Sequence, residues 1–207
     1  MIMKIYILKQ IRILYEEGMM VMESLKKEKE NKLLQVEGHK NISTVKKIVY
    51  MAVFIAITSI LSRFFAIQLE ILKITFSFIP IALAAMIFGP IYGGLVAGIE
   101  DLIGAILFPK GPFFPGFTLS AALVGIIYGL ILYKKPKTTG RFIVANTLIA
   151  VIVNITLNTV WLMILYNKGF IVLASTRIIK AIIMIPIEVI MLKLSWKYIG
   201  EKLEKTL

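Results

Sequence analysis

The sequence predicts an all-α membrane protein with six transmembrane helices and both termini in the cytoplasm. Three observations carry this reading. First, 58% of the 207 residues are hydrophobic and the mean hydropathy is +0.86, too apolar for a soluble globular chain. Second, apolar runs near the roughly 20 residues needed to cross a bilayer recur from Lys46 onward. Third, the cations are sorted by side. Ten Lys and Arg lie in residues 1–47, four in residues 134–141 and four from Lys193 onward. The alternate connections hold only Arg63, Lys73, Lys110 and Lys168. Cytoplasmic loops carry the excess of Lys and Arg, so both termini fall on the cytoplasmic side and the number of spans is even. That makes the chain a multi-pass membrane protein.

The spans are expected at 46–62, 75–89, 91–107, 117–133, 142–166 and 171–194. Gly89-Pro90 divides the second from the third. Residues 108–117 hold three prolines and two glycines, which cannot continue a helix. The basic turn 134–141 and the break at Asn167-Lys168-Gly169 separate the last three. The connection 63–75 is apolar for an external loop and is read either as a lid or as an interfacial segment. Residues 1–45 form a cytoplasmic tail ahead of the membrane domain 46–207. Ile2–Tyr15 is weakly amphipathic, and residues 23–47 are charged, helical or disordered. Glu16-Glu17-Gly18, which purine-rich codons encode, precedes Met19, Met20 and Met22. A translational start at Met19 or Met22 is therefore expected.

The polar residues inside the spans define a candidate site. A charge at mid-bilayer costs at least roughly 2.5–3.5 kcal/mol on insertion scales, so Glu100, Asp101, Arg177 and Lys180 must face one another, water or a ligand. Asn154, Asn158 and Trp161 fall at i, i+4 and i+7 on one helix face. Two carboxamides beside an indole suit a planar heterocycle, and they equally suit interhelical hydrogen bonding. Arg177, Lys180, Met184 and Glu188 form a second stripe. Its two cations suit a carboxylate or a structural salt bridge with Glu100 or Asp101, and Glu188 reads as structural or partner-facing. Asp101 follows Gly94 and Gly98 on one face, at about mid-depth. Arg63 ends the first span as a ligand contact or a snorkelling interfacial cation. Ala52-x-x-x-Ala56 offers a face on which another helix packs closely.

The absences narrow the class. The +12 net charge invites a nucleic-acid reading, but the placement of the cations assigns them to membrane loops. There is no G-x-x-x-x-G-K-[ST], no cysteine, and one histidine, His39, in the tail. ATP use by a P-loop, thiolate or H-E-x-x-H metal sites and Ser-His triads are therefore absent. No inverted repeat of the secondary-transporter kind is evident. An outward-facing binding site without an engine of its own remains.

That combination resembles the substrate-binding S component of energy-coupling factor (ECF) vitamin transporters. The Ala52–Ala56 pattern matches the family's docking motif, as do the six spans. Ile74-Thr-Phe-Ser-Phe-Ile-Pro-Ile-Ala-Leu83, Phe88-Gly-Pro90, Pro115-Gly-Phe-Thr-Leu-Ser120 and Val153-Asn-Ile-Thr-Leu-Asn-Thr-Val-Trp-Leu162 look like the folate-specific member. The resemblance covers roughly residues 46–200. It implies a bundle that binds folate from outside and topples to release it, with a transmembrane coupling subunit and two ATPases as partners. The ATP is used by those partners, and this chain carries no cofactor and no catalytic residues. Substrate contacts are expected at Arg63, Asn154 and Asn158 from the motifs. Asp101, Phe117, Trp161, Arg177 and Lys180 join them from depth, periodicity and the chemistry of folate. An S component for riboflavin, thiamine or biotin and a non-transport multispan scaffold are the alternatives. One conflict is visible in advance. Ala52, Ala56, Ser59 and Arg63 share a helix face, yet docking and ligand faces should differ. A helix break near Ser62 would separate them, whereas a straight helix through Arg63 would weaken its ligand role.

Overall fold

The computed structural model describes residues 44–65, 67–68, 73–109, 113–166 and 169–206, with residues 18–20, 22, 23 and 26 of the N-terminal segment. The chain divides into two units, Met1–Ile42 and Ser43–Leu207. In the first, the described residues are helical, and the amphipathic stretch Ile2–Tyr15 lies outside the described residues.

The second unit is a helical bundle built from α1 (Thr44–Arg63), α2 (Phe78–Phe88), α3 (Pro90–Leu107), α4 (Pro115–Leu132), α5 (Thr139–Tyr166) and α6 (Phe170–Thr206). All but α2 are long and apolar enough to cross a membrane. The fold is thus helical as expected, with five such helices and a shorter apolar one among the described residues, where six full spans were expected. A two-stranded antiparallel hairpin, β1 (Ile67–Gln68) and β2 (Lys73–Ile74), joins α1 to α2 and pairs Ile67 with Ile74.

Helix α2 differs most from expectation. Its 11 residues span about 17 Å, against about 30 Å of hydrocarbon. Thr75, Phe76 and Ser77, counted in the second span from hydropathy, are a turn. Every residue of α2 except Ile79 is buried. A helix apolar on all sides belongs in the centre, and α2 packs against α1, α3, α4 and α6. It ends at Gly89, whose φ of 101° only glycine adopts without strain. Pro90 then starts α3, its missing N–H harmless in a first turn. Pro115 does the same for α4, so that helix begins inside the loop predicted for 108–117.

Helices α3 and α4 share the most extensive contact. A Cβ on Gly125 would overlap the carbonyl of Gly93, and one on Gly129 would overlap Pro90. The two backbones touch, which only glycine permits. Helix α5 switches from α to π bonding over Ile149–Leu157 and returns to α at Asn158. Helix α6 continues past residue 194, through a π turn at Trp196–Gly200, to Thr206. There it meets the basic turn. Lys193 Nζ donates to Thr139 Oγ1, and the Lys137 ammonium lies 4.5 Å from the Trp196 ring centre. Burial lowers the Lys137 pKa, Glu204 opposes that shift and Arg141 adds to it.

Gly125→Val should force α3 and α4 apart, costing about 1–3 kcal/mol or more. Gly98→Ala makes ordinary contacts, the nearest with Ala122 Cβ at 3.4 Å, and should stay within about 0.5 kcal/mol of wild type. Thermal melting of the detergent-purified variants compares the two. Equal melting of Gly125→Val and wild type would show that this backbone contact does not hold the bundle.

Candidate functional site

The shortness of α2 makes the site. Above its first turn a cavity of about 250 Å³ opens between the helices. Thr75, Ser77, Phe78 and Ile81 form one side of it.

The first wall comes from α1 and α3. Phe54, Thr58 and Ser62 form the buried stripe of α1, four residues apart. The stripe delivers the Ser62 hydroxyl to Glu100, which is 6% exposed; Ser62 Oγ donates to Glu100 Oε1 at 2.5 Å. Next to it, Asp101 Oδ2 accepts from Thr118 Oγ1 of α4 at 2.8 Å. Both carboxylates line the cavity.

Arg63 reaches the cavity without the expected break in α1, which is unbroken through this residue. Its side chain crosses α3 at Gly104, where a Cβ would overlap the guanidinium, and Nη1 donates to the carbonyl of Phe108 at 3.2 Å. Phe64 stacks edge-on against Phe108 beside it, with ring centres 5.9 Å apart. Ala52 and Ala56 remain exposed on the outer face of α1. The conflict over the shared face is resolved by side-chain length: alanine ends at Cβ on the surface, whereas Arg63 folds over a glycine.

The opposite wall comes from α5 and α6. Asn154, Lys180, Met184 and Glu188 line the main cavity and also a neighbouring one of about 70 Å³. Arg177 lines only the smaller cavity, and its Nη1 donates to the backbone carbonyl of Asn154 at 2.7 Å. Asn158 Nδ2 reaches Asn154 Oδ1 at 3.5 Å, so the two amides share a face as the spacing predicts. Trp161 continues that stripe, but its Nε1 donates to Ser120 Oγ of α4 at 3.0 Å. With Phe114 and Phe117 it forms an aromatic cluster over Gly116, beside the cavity lining.

The structure thus gathers Arg63, Asp101, Asn154 and Lys180 around one space. Of the other expected contacts, Arg177 lines only the smaller cavity, and Asn158, Phe117 and Trp161 line neither: Asn158 is held by Asn154, and the two rings lie in the aromatic cluster. Glu188, read as structural or partner-facing, lies on the wall. Sequence reasoning missed Ser62, Thr75, Ser77 and Tyr128. Of these, Tyr128 is 1% exposed and donates to Asn146 Oδ1 at 2.6 Å.

A helical bundle that spans a membrane around a polar cavity has the make-up of a membrane substrate-binding component. Residues 46–195 match the family of ECF transporter substrate-specific components. The chain belongs to that family; it is a transporter component and not an enzyme. It is similar to the folate transporter FolT of Clostridium novyi (strain NT), with 43% identity over 155 residues, 75% of this chain and 90% of that protein. It is also similar to the folate transporter FolT of Leuconostoc mesenteroides subsp. mesenteroides, with 36% identity over 150 residues, 70% of this chain and 80% of that protein. A solved structure described as FolT bound with folic acid matches with a TM-score of 0.68 and 43% identity, covering 76% of this chain and 93% of that one.

Ser62→Ala removes a donor from the buried Glu100 carboxylate. It should cost about 1–3 kcal/mol, read as lower thermal stability of the purified protein. Unchanged melting would show that the bond to Glu100 carries no net stability.

Proposed function

We propose that this chain is the folate-binding S component of an ECF-type importer. It takes folate from outside and delivers it inward with energy from partner ATPases. The observation that carries this is the relative bound to folic acid, which shares 43% of its residues and the fold across 93% of its own length. The cavity supports it. Folate has a flat pterin with an amide-like edge, a benzoate ring and a glutamate tail with two carboxylates. The carboxamides of Asn154 and Asn158 suit the pterin edge, and Asp101 suits an amino group on it. Arg63 and Lys180 suit carboxylates. Phe117 and Trp161 offer ring faces in the cluster that Trp161 ties to Ser120.

In this reading α2 and the turn before it together make the sixth pass. Irregular backbone at membrane depth is tolerated where it lines a cavity. The sorting of cations puts both termini in the cytoplasm and the Arg63 end outside. The exposed Ala52–Ala56 face is the surface offered to the coupling subunit.

Binding followed by intrinsic Trp quenching tests the proposal, with riboflavin, thiamine and biotin as competitors. Asn154→Ala combined with Asn158→Ala should weaken folic acid binding by roughly 100-fold, as expected when two sets of donor–acceptor contacts are lost, while melting of the ligand-free protein holds. Misfolding of that variant would favour structural glue, and tight binding of another vitamin would overturn the specificity. Gly104→Ala displaces only the flexible end of Arg63. It should weaken folic acid binding by about tenfold, a loss of about 1.4 kcal/mol, with the fold intact. Unaltered affinity would remove Arg63 from the site.

A further inference from the structure

Helix α5 carries a feature that ligand identity does not explain. Over Ile149–Leu157 its backbone bonds in the π pattern, in which each N–H reaches back five residues. The last such bond runs from Asn158 N–H to the carbonyl of Val153. Where five-residue bonding returns to four-residue bonding, the donor ladder steps over one carbonyl. The next carbonyl after Val153 belongs to Asn154, and it accepts the Arg177 Nη1 donor at 2.7 Å. Cations inside membrane bundles commonly end on backbone carbonyls in this way.

The side chain of the same residue, Asn154, is on the wall of both cavities, whereas Arg177 lines only the smaller one. A π-bonded residue also turns the helix through a smaller angle than an α-bonded one. The switch therefore sets which way α5 presents Asn154. We infer that Arg177 is a positioning residue: its guanidinium holds the backbone of α5 at the end of the π segment, and so keeps the Asn154 amide on the cavity wall, instead of pairing with a ligand carboxylate. Lys180, one turn further along α6, is the cation of that helix on the main cavity wall. The inference rests on the folate reading for its choice of ligands.

Folic acid and pteroic acid, which lacks the glutamate tail, separate the two roles. Both are titrated into wild type, Arg177→Gln, Asn154→Ala and the double variant. Hydrogen exchange over residues 149–158 is followed without ligand. Arg177→Gln should weaken both ligands equally, by about tenfold, and speed exchange of that segment. Added to Asn154→Ala, it should cost less than about threefold, because the two changes remove one coupled unit. A loss confined to folic acid would make Arg177 a carboxylate ligand and overturn the inference. A full tenfold loss in the Asn154→Ala background, or unchanged exchange, would overturn it as well. Should Arg177→Gln fail to fold, Arg177→Lys takes its place. It retains a donor for the carbonyl and should hold both ligands within about threefold of wild type, and selective loss of folic acid would again contradict the role. If wild type binds neither ligand, the folate reading falls, and the exchange comparison alone decides for or against Arg177.

Discussion

A polar group inside a membrane must find its partner within the protein, because the surrounding hydrocarbon offers none. In this bundle hydrogen bonds that run from helix to helix meet most of that constraint, while the buried Thr159 hydroxyl has no such partner. Ser62 joins α1 to α3 through Glu100, and Asp101 joins α3 to α4 through Thr118. Tyr128 joins α4 to α5 through Asn146, as Trp161 does through Ser120. Arg177 joins α6 to α5. Each bond contributes modestly, about 0.6 kcal/mol on average within membranes. Their effect is cumulative and geometric, since they fix the order and rotation of the helices around the central α2.

The cavity follows from two departures from regular helices. Helix α2 is too short to fill its column, so space remains above its first turn. Helix α5 is π-bonded at the same wall, which changes the direction in which its amides point. Glycine supplies the complementary freedom. The backbone contact of α3 and α4 brings Asp101 to Thr118, and the missing side chain at Gly104 gives Arg63 a path inward.

The parts legible in the sequence were those marked by charge or by period. Ionisable residues in apolar runs stand out, and Asp101 and Lys180 both lie on the cavity wall. Asn154 and Asn158 still share a face, as their four-residue spacing suggests, although Asn154 lies inside the π segment. Ser62, Thr75, Ser77 and Tyr128 carry no such mark, since neutral polar residues are ordinary in membrane helices. The length of α2 was hidden because Thr75, Phe76 and Ser77 interrupt hydropathy too weakly to end a span. The π bonding was invisible to a reading that assumes 3.6 residues per turn. The place of Arg63 depends on Gly104, 41 positions away, a pairing that only the folded chain reveals. The sixth span was expected to end at 194, yet α6 runs on through Trp196 and Gly200 against the basic turn.

The central claim is that the space above α2 is where folate is held. The most direct test is a crystal structure of this protein grown with folic acid. The account predicts density for the ligand between the α1–α3 wall and the α5–α6 wall, with the Asn154 amide and the Lys180 ammonium within hydrogen-bonding distance. Ligand density on the outer face of the bundle, or an undisturbed cavity beside a ligand bound elsewhere, would contradict it.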